Sequence, residues 1–311
     1  MGPAGDDSGA QEGFPHKSQL LHESHYAEFA STGPKQKEAD AWLANDTVYA
    51  WRHRRMYDCL LPLIEAAKGS DWLTIGDGKI GSDARYLIEH GCPALPTDIS
   101  DILLQEAKKN GLIPDYRKEN AEALSFADGS FDYVLCKNSY HHFPRPMLAF
   151  YEMLRVARRA IVLIEPDDHY VNEKLAELAF RRVKDLFRRL GRKESQQHVF
   201  EPVGNYVYSL SRREVEKAAL GLNLKYVAFG GVNDHYLPGG ETARIGENTP
   251  QEKKTRRMIK LQDLACRLGL KRPRAIVAVV FKETPGQRLM ESLRKEGFEL
   301  RILPDNPYLA P

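Results

Sequence analysis

WLTIGDGKIG, residues 72–81, runs from an apolar tetrad straight into a glycine loop that fits G-x-G-x-x-G, and an acidic residue, Asp98, follows Gly76 by twenty-two positions. A turn from strand to helix needs glycine where the chain bends sharply and where a ligand approaches the backbone. The helix N-terminus beyond such a loop receives an anionic group, and a carboxylate at the end of the next strand accepts ribose hydroxyls. The loop and Asp98 together read as a site for an adenosine-bearing cofactor. They do not choose between a nicotinamide dinucleotide and another adenosine cofactor.

Outward from the loop, short apolar runs alternate with helical stretches. WLTIG, PALPTD, FDYVLCKN and AIVLIEP read as strands, with helices around 82–90, 101–110 and 146–158 between them. Alternation at this spacing predicts a parallel sheet covered on both faces. Upstream, residues 18–68 read as helical, with Asp46 or Thr47 as cap and Gly69 as stop. Downstream, the stretch from Val171 to Lys193 has a helical period, and Ser211 with Glu214 forms a capping box. LKYVAF and RAIVAVVFKE supply two more strands, separated by a loop rich in glycine pairs and a basic helix. The tail reads as one more helix and strand.

The expected fold is therefore α/β, a Rossmann-like, doubly wound, mostly parallel seven-stranded sheet with an N-terminal helical cap and an insertion between the last two strands. The expected organisation is a disordered stretch over 1–17, a helical cap over 18–70, a catalytic domain over 71–284 with a lid at 231–273, and an extension over 285–311.

Composition narrows the class. The 311 residues are 42% hydrophobic and 28% charged, an ordinary globular balance. A formal net charge of +2 argues against nucleic acid as a partner of the whole chain. The four cysteines are scattered without a C-x-x-C pair, which fits reduced thiols and a cytoplasmic location. The first residues lack the apolar core of a signal peptide, and no run reaches the length of a membrane span.

The cofactor question is narrowed by the segments after the loop: NAEALSFADGSFD at 120–132, YVLCKNSYHHF at 133–143, the helix MLAFYEMLRVARR, then AIVLIEP. In this order and spacing the chain resembles the class I S-adenosylmethionine-dependent methyltransferases, and within them the small-molecule, methyltransferase-11-like group that includes the ubiquinone-type enzymes. The resemblance covers about residues 72–166 and continues more weakly to 283. It implies S-adenosylmethionine as cofactor, with Gly76, Asp77 and Gly78 along its methionine part. It further implies Asp98 on the ribose, Ile99 against adenine, Asn120 and Ala121 at the adenine edge, and Lys137 and Asn138 facing the sulfonium. Two positions depart from the family: Thr74 stands where an acid is usual and Ile80 where a third glycine is usual. Gly81 and Asp77 are the expected substitutes.

Methyl transfer is an in-line displacement in which the protein mainly aligns the acceptor, and an oxygen acceptor also benefits from a base. Histidine titrates near neutrality and is the commonest general base. Loops at the carboxyl ends of strands carry three histidine motifs, and the candidate bases, in order, are His141, His235 and His142. Asp167, Asp168, Asn233 and Asp234 carry oxygens suited to a hard cation such as Mg²⁺, but neighbouring loop acids are ordinarily solvated, and no metal is assigned. The two basic helices read as solvated faces, as attractors for a phosphorylated or sugar-containing acceptor, or as a membrane-facing surface. Dimerisation is an open possibility. The rivals to methyl transfer are an NAD-dependent oxidoreductase and a cofactor-binding protein without catalysis.

Overall fold

The computed structural model describes residues 8–30, 41–168, 200 and 206–308. The helix expected over 171–193 and His169 of the DDHY loop lie outside them.

Five strands run parallel: β1 (Trp72–Ile75), β2 (Ala94–Asp98), β3 (Arg117–Lys118), β4 (Phe131–Lys137) and β5 (Ala157–Pro166). Three more, β6 (Tyr226–Val232), β7 (Ala275–Phe281) and β8 (Glu299–Ile302), join through antiparallel pairs. The order across the sheet is β3-β2-β1-β4-β5-β7-β6-β8. The sheet thus has eight strands where the sequence predicts seven. No run in the sequence announces β3, two exposed residues beside β2, whereas the strand read in the tail is the ELRI segment, which pairs with β6 at the opposite edge. Its residues are mostly exposed, so no buried pattern marks in sequence which edge it joins.

Helices between the parallel strands sit close to their predicted places: α4 (Ser82–Glu89), α5 (Ile102–Lys109) and α6 (Pro146–Val156). Alternate residues of each strand face opposite layers. Leu73, Ile75, Val134 and Cys136 pack with Phe150 and Met153 of α6, whereas Trp72, Leu135 and Val162 pack with Leu60, Leu63 and Ile64. All seven residues of β7 are buried, as a central strand covered on both faces requires.

Immediately before β1 stand two helices, α2 (Val48–Asp58) and α3 (Leu61–Ala66). Pro62 opens α3 rather than continuing α2, because proline is tolerated only in the first helical turn. Thr47 is the cap, accepting from the Ala50 amide at 3.1 Å, while Asp46 pairs with Arg244. The Ser211 and Glu214 capping box is present at the start of α7 (Arg212–Gly221). Within the insertion lies the basic helix α8 (Pro250–Arg267), and α9 (Gln287–Lys295) precedes β8.

Helix α1 (Ser8–Ala30) starts earlier than the sequence reading put any helix, inside the stretch expected to be disordered. Its inward positions include Ser18, His22, Tyr26 and Phe29, a helical spacing filled mostly by polar and aromatic residues. No apolar stripe announces such a helix; contacts made only in the folded chain hold it.

Candidate active site

Strand order reverses between β1 and β4, and in open α/β sheets the crevice at the carboxyl ends of that pair is where ligands bind. A cavity of about 300 Å³ opens there. Its floor is Ile75 and Gly76 at the end of β1, Thr97, Asp98 and Ile99 at the end of β2, and Ser139 just past β4. One wall is Glu119 to Glu122, another His142, Phe143 and Pro144, and α1 closes the top with Ser18, Gln19, His22, Tyr26 and Phe29. The volume lies at the small end of the range usual for ligand sites, about 300–1,000 Å³.

The two glycines are required for a reason the sequence did not supply. A Cβ on Gly76 would stand 2.3 Å from the Ser139 Cβ, and one on Gly78 would stand 2.6 Å from the Asp98 Cγ. What approaches the backbone is therefore first of all protein. Ser139 Oγ donates to the Gly76 carbonyl at 2.7 Å, locking the ends of β1 and β4 together. Asp98 accepts from the Gly78 amide at 3.0 Å and the Ser100 amide at 2.9 Å. Burial pushes its carboxyl up to about 6. Each oxygen keeps a lone pair beyond its one backbone bond, so the carboxylate is held with capacity left over for hydroxyls.

Asp77 does something different. It is 3% exposed and accepts from the Asp83 and Ala84 amides at 3.1 and 2.9 Å, so it serves the N-terminus of α4, and Thr74 Oγ1 donates to it at 2.9 Å. Burial, and then Asp83 beside it, hold its carboxyl well above the usual range. Thr74, in place of the family's acid, is thus the donor that steadies Asp77. Ile80 and Gly81 both adopt left-handed backbone, at φ 57° and 64°. Gly81 does so without strain, whereas β-branched Ile80 does so while buried against Leu103, Leu104 and Ile113.

Lys137 and Asn138 do not line the cavity. The Lys137 ammonium lies 3.1 Å from Asp83, 3.0 Å from His53 Nδ1 and over the Tyr57 ring, and Tyr57 Oη donates to Asp83 at 2.6 Å. Burial, helped by Lys137, pushes His53 well down, so its ring is neutral and Nδ1 accepts from the ammonium. Asn138, at φ 53°, points its amide at the Met56 sulfur. The residue after them, Ser139, reaches the cavity instead.

The three candidate histidines separate. His141 Nδ1 lies 2.6 Å from Glu165 Oε2, and Glu165, fully buried at the end of β5, also accepts from the Ser139 and Tyr140 amides at 2.9 and 3.0 Å. The His142 ring is 3.9 Å from that of His141, centroid to centroid, and 6.0 Å from that of His22 on α1. His235 lies apart, outside the cavity lining, with both ring nitrogens buried and without a hydrogen bond among the described residues; burial pushes its pKa down. Three of the four residues weighed for a cation are engaged by other groups: Arg52 holds Asp234, Arg272 holds Asp167 at 2.8 Å, and Asn233 donates to Asp263 at 2.9 Å. Among the described residues, no group of three His, Cys, Asp or Glu is placed to hold a metal ion.

Residues 73–164, the segment that builds this crevice, match the family model described as a methyltransferase domain. The chain carries a methyltransferase domain. S-adenosylmethionine is the cofactor of that domain. Among solved structures, similar ones include YcgJ from Bacillus subtilis, at 17% identity over 74% of this chain and 100% of that one, with a TM-score of 0.46. A SAM-dependent methyltransferase from Archaeoglobus fulgidus stands at 17% identity, 74% and 94% coverage and TM-score 0.46. Magnesium protoporphyrin IX methyltransferase from Synechocystis PCC 6803 stands at 13%, 88% and 100% coverage and TM-score 0.45. No curated protein matches the sequence.

The methyltransferase has residues suited to its cofactor. Asp98 can take two ribose hydroxyls, Ile99 and Phe143 offer apolar walls to a purine, and the glycine backbone leaves room beside Ser139. Sequence reasoning missed Glu165, Ser139 and the α1 face. Glu165 did have a signal, a lone carboxylate ending the apolar run AIVLI; the α1 face had none.

Proposed function

We propose that this methyltransferase acts on a hydroxyl oxygen of a small-molecule acceptor such as a sugar or secondary metabolite, with His141 as the general base. The observation that carries the reading is the 2.6 Å contact between His141 Nδ1 and buried Glu165 beside the crevice. A carboxylate at Nδ1 selects the tautomer with its proton there, leaving the Nε2 lone pair to take the acceptor's proton. Such a base serves an alcohol, which must lose its proton as it is methylated; an amine acceptor attacks through a lone pair it already has. Bound S-adenosylmethionine supplies an electrophilic methyl group on sulfur. The chain's residues orient both partners: Asp98 holds the ribose, Gly76 and Gly78 flank the methionine part, and Ile99, Asn120 and Ala121 meet the adenine.

His142, not His141, is the one of the pair that lines the cavity, with its ring 3.9 Å from that of His141; His235 is not assigned as the base, since among the described residues no carboxylate meets its ring. The test has two arms. Calorimetry with S-adenosylhomocysteine and with NAD should show binding of the first alone. With a panel of hydroxyl acceptors, His141→Asn should lower kcat by about 10²–10⁴ while leaving S-adenosylhomocysteine affinity within threefold. NAD binding would overturn the cofactor reading, and unchanged turnover in the variant would overturn the base.

A further inference from the structure

Helix α8 presents its side chains the wrong way round for a helix in water. Glu252, Thr255, Ile259 and Gln262 are buried, and neither Thr255 Oγ1 nor Gln262 Oε1 has a hydrogen-bond partner among the described residues. Leu261, Leu264, Leu268 and Leu270, on the last turns and just beyond, are 50–64% exposed. With 3.6 residues per turn, positions 261, 264 and 268 fall within an arc of about 60°, roughly opposite Ile259. The helix has therefore turned an apolar stripe outward and polar side chains inward. An exposed apolar patch of this kind marks an interaction surface.

Polar contacts fix that orientation. The Glu252 carboxylate accepts from the Gly246 and Asn248 amides, both at 3.0 Å. The Arg256 guanidinium lies 4.4 Å from the Trp51 ring centroid, and the Asn233 amide donates to Asp263 at 2.9 Å and Cys266 Sγ at 3.3 Å. Rotating the leucines inward would break all of these.

The rim decides what covers the stripe. Lys253, Lys254, Arg257, Lys260 and Arg267 are exposed around it, while Glu252 and Asp263, the helix's only carboxylates, are turned to protein partners. A second copy related by a two-fold axis would bring these cations against themselves. The chain's other strongly basic stretch, residues 181–193, carries the same sign. An anionic bilayer satisfies both features, because its headgroups attract the basic rim and its acyl boundary receives the leucines. We propose that α8 docks the protein onto an anionic lipid surface, lying in the interface with Leu261, Leu264 and Leu268 inserted. This goes beyond the methyl-transfer reading and does not depend on it.

The test is sedimentation of the full chain with vesicles of phosphatidylcholine alone and of phosphatidylcholine mixed with phosphatidylglycerol. Binding to the mixed vesicles only, falling as salt rises, is expected. Leu264→Asp with Leu268→Asp should weaken that binding at least tenfold, with S-adenosylhomocysteine affinity unchanged. Arg257→Glu with Lys260→Glu should weaken it as well, so the outcome does not hang on one variant's folding. Absence of binding, equal binding to neutral vesicles, or binding untouched by both pairs of substitutions would overturn the proposal. So would light scattering that shows a dimer which the leucine substitutions dissociate, since the stripe would then face a second copy.

Discussion

Affinity for the cofactor should depend on pH through Asp98. Burial raises this carboxyl to about 6 in the folded chain, from an ordinary value of 3.8. Ribose hydroxyls donate to the ionised form, so binding requires the proton to be absent. At pH 5 about one molecule in eleven carries an ionised Asp98, which weakens apparent affinity about tenfold, or about 1.4 kcal/mol, relative to pH 7. The effect on stability runs the other way. Between about pH 4 and 6 the folded chain holds a proton that the unfolded chain has released, so this group favours the fold at the acid end. That contribution is lost as pH rises through about 6 and amounts to something on the order of 3 kcal/mol. Titration calorimetry with S-adenosylhomocysteine from pH 5 to 8, beside a thermal melt of the ligand-free chain, reads both. The control is Asp98→Asn, which should bind at least tenfold more weakly at pH 7 and lose the pH dependence, because an amide neither ionises nor accepts at both atoms. His22 and His142 also face the cavity, and this control isolates the contribution of Asp98. A wild-type Kd that is flat across the range, or an Asn variant that keeps the wild-type slope, would refute the reasoning.

Glu165→Gln should leave S-adenosylhomocysteine affinity within about threefold and lower kcat by about 10²-fold, because the amide can accept from the Ser139 and Tyr140 backbone but no longer fixes the His141 tautomer. A purely structural role for Glu165 would leave the pH profile of kcat unshifted in the residual activity, and that profile is the deciding readout. Lys137→Met should cost about 3–5 kcal/mol in urea denaturation, since it strands buried Asp83 with only neutral donors. Adding Asp83→Asn should restore most of that loss; a single variant within 1 kcal/mol of wild type would mean that the pair is solvated rather than buried.

Strands β1, β2, β4 and β5 were legible because burial leaves near-continuous apolar runs, and the Ser211 capping box because it acts locally, whereas β3, two exposed residues, and the break at Pro62 were not read. The glycine loop was legible as a loop, although its reason was not: that Gly76 yields to Ser139 and Gly78 to Asp98 involves residues sixty-three and twenty positions away. Lys137 and Asn138 were misplaced for a related reason. A strand's end fixes where the backbone goes, while a left-handed Asn138 and the pull of Asp83 decide which side the side chains take.

Sequence alone determined the alternation of strands and helices, the adenosine-type loop with Asp98, and a set of histidines at strand ends, because each is written in spacing over a few residues. Tertiary structure alone decided which histidine meets a buried carboxylate, that α1 roofs the cavity, that β3 adds an eighth strand and the tail's strand joins the edge beside β6, and that the leucines of α8 face outward. These depend on partners distant in the chain, and the balance of burial against polar pairing that selects them exists only when the chain is folded.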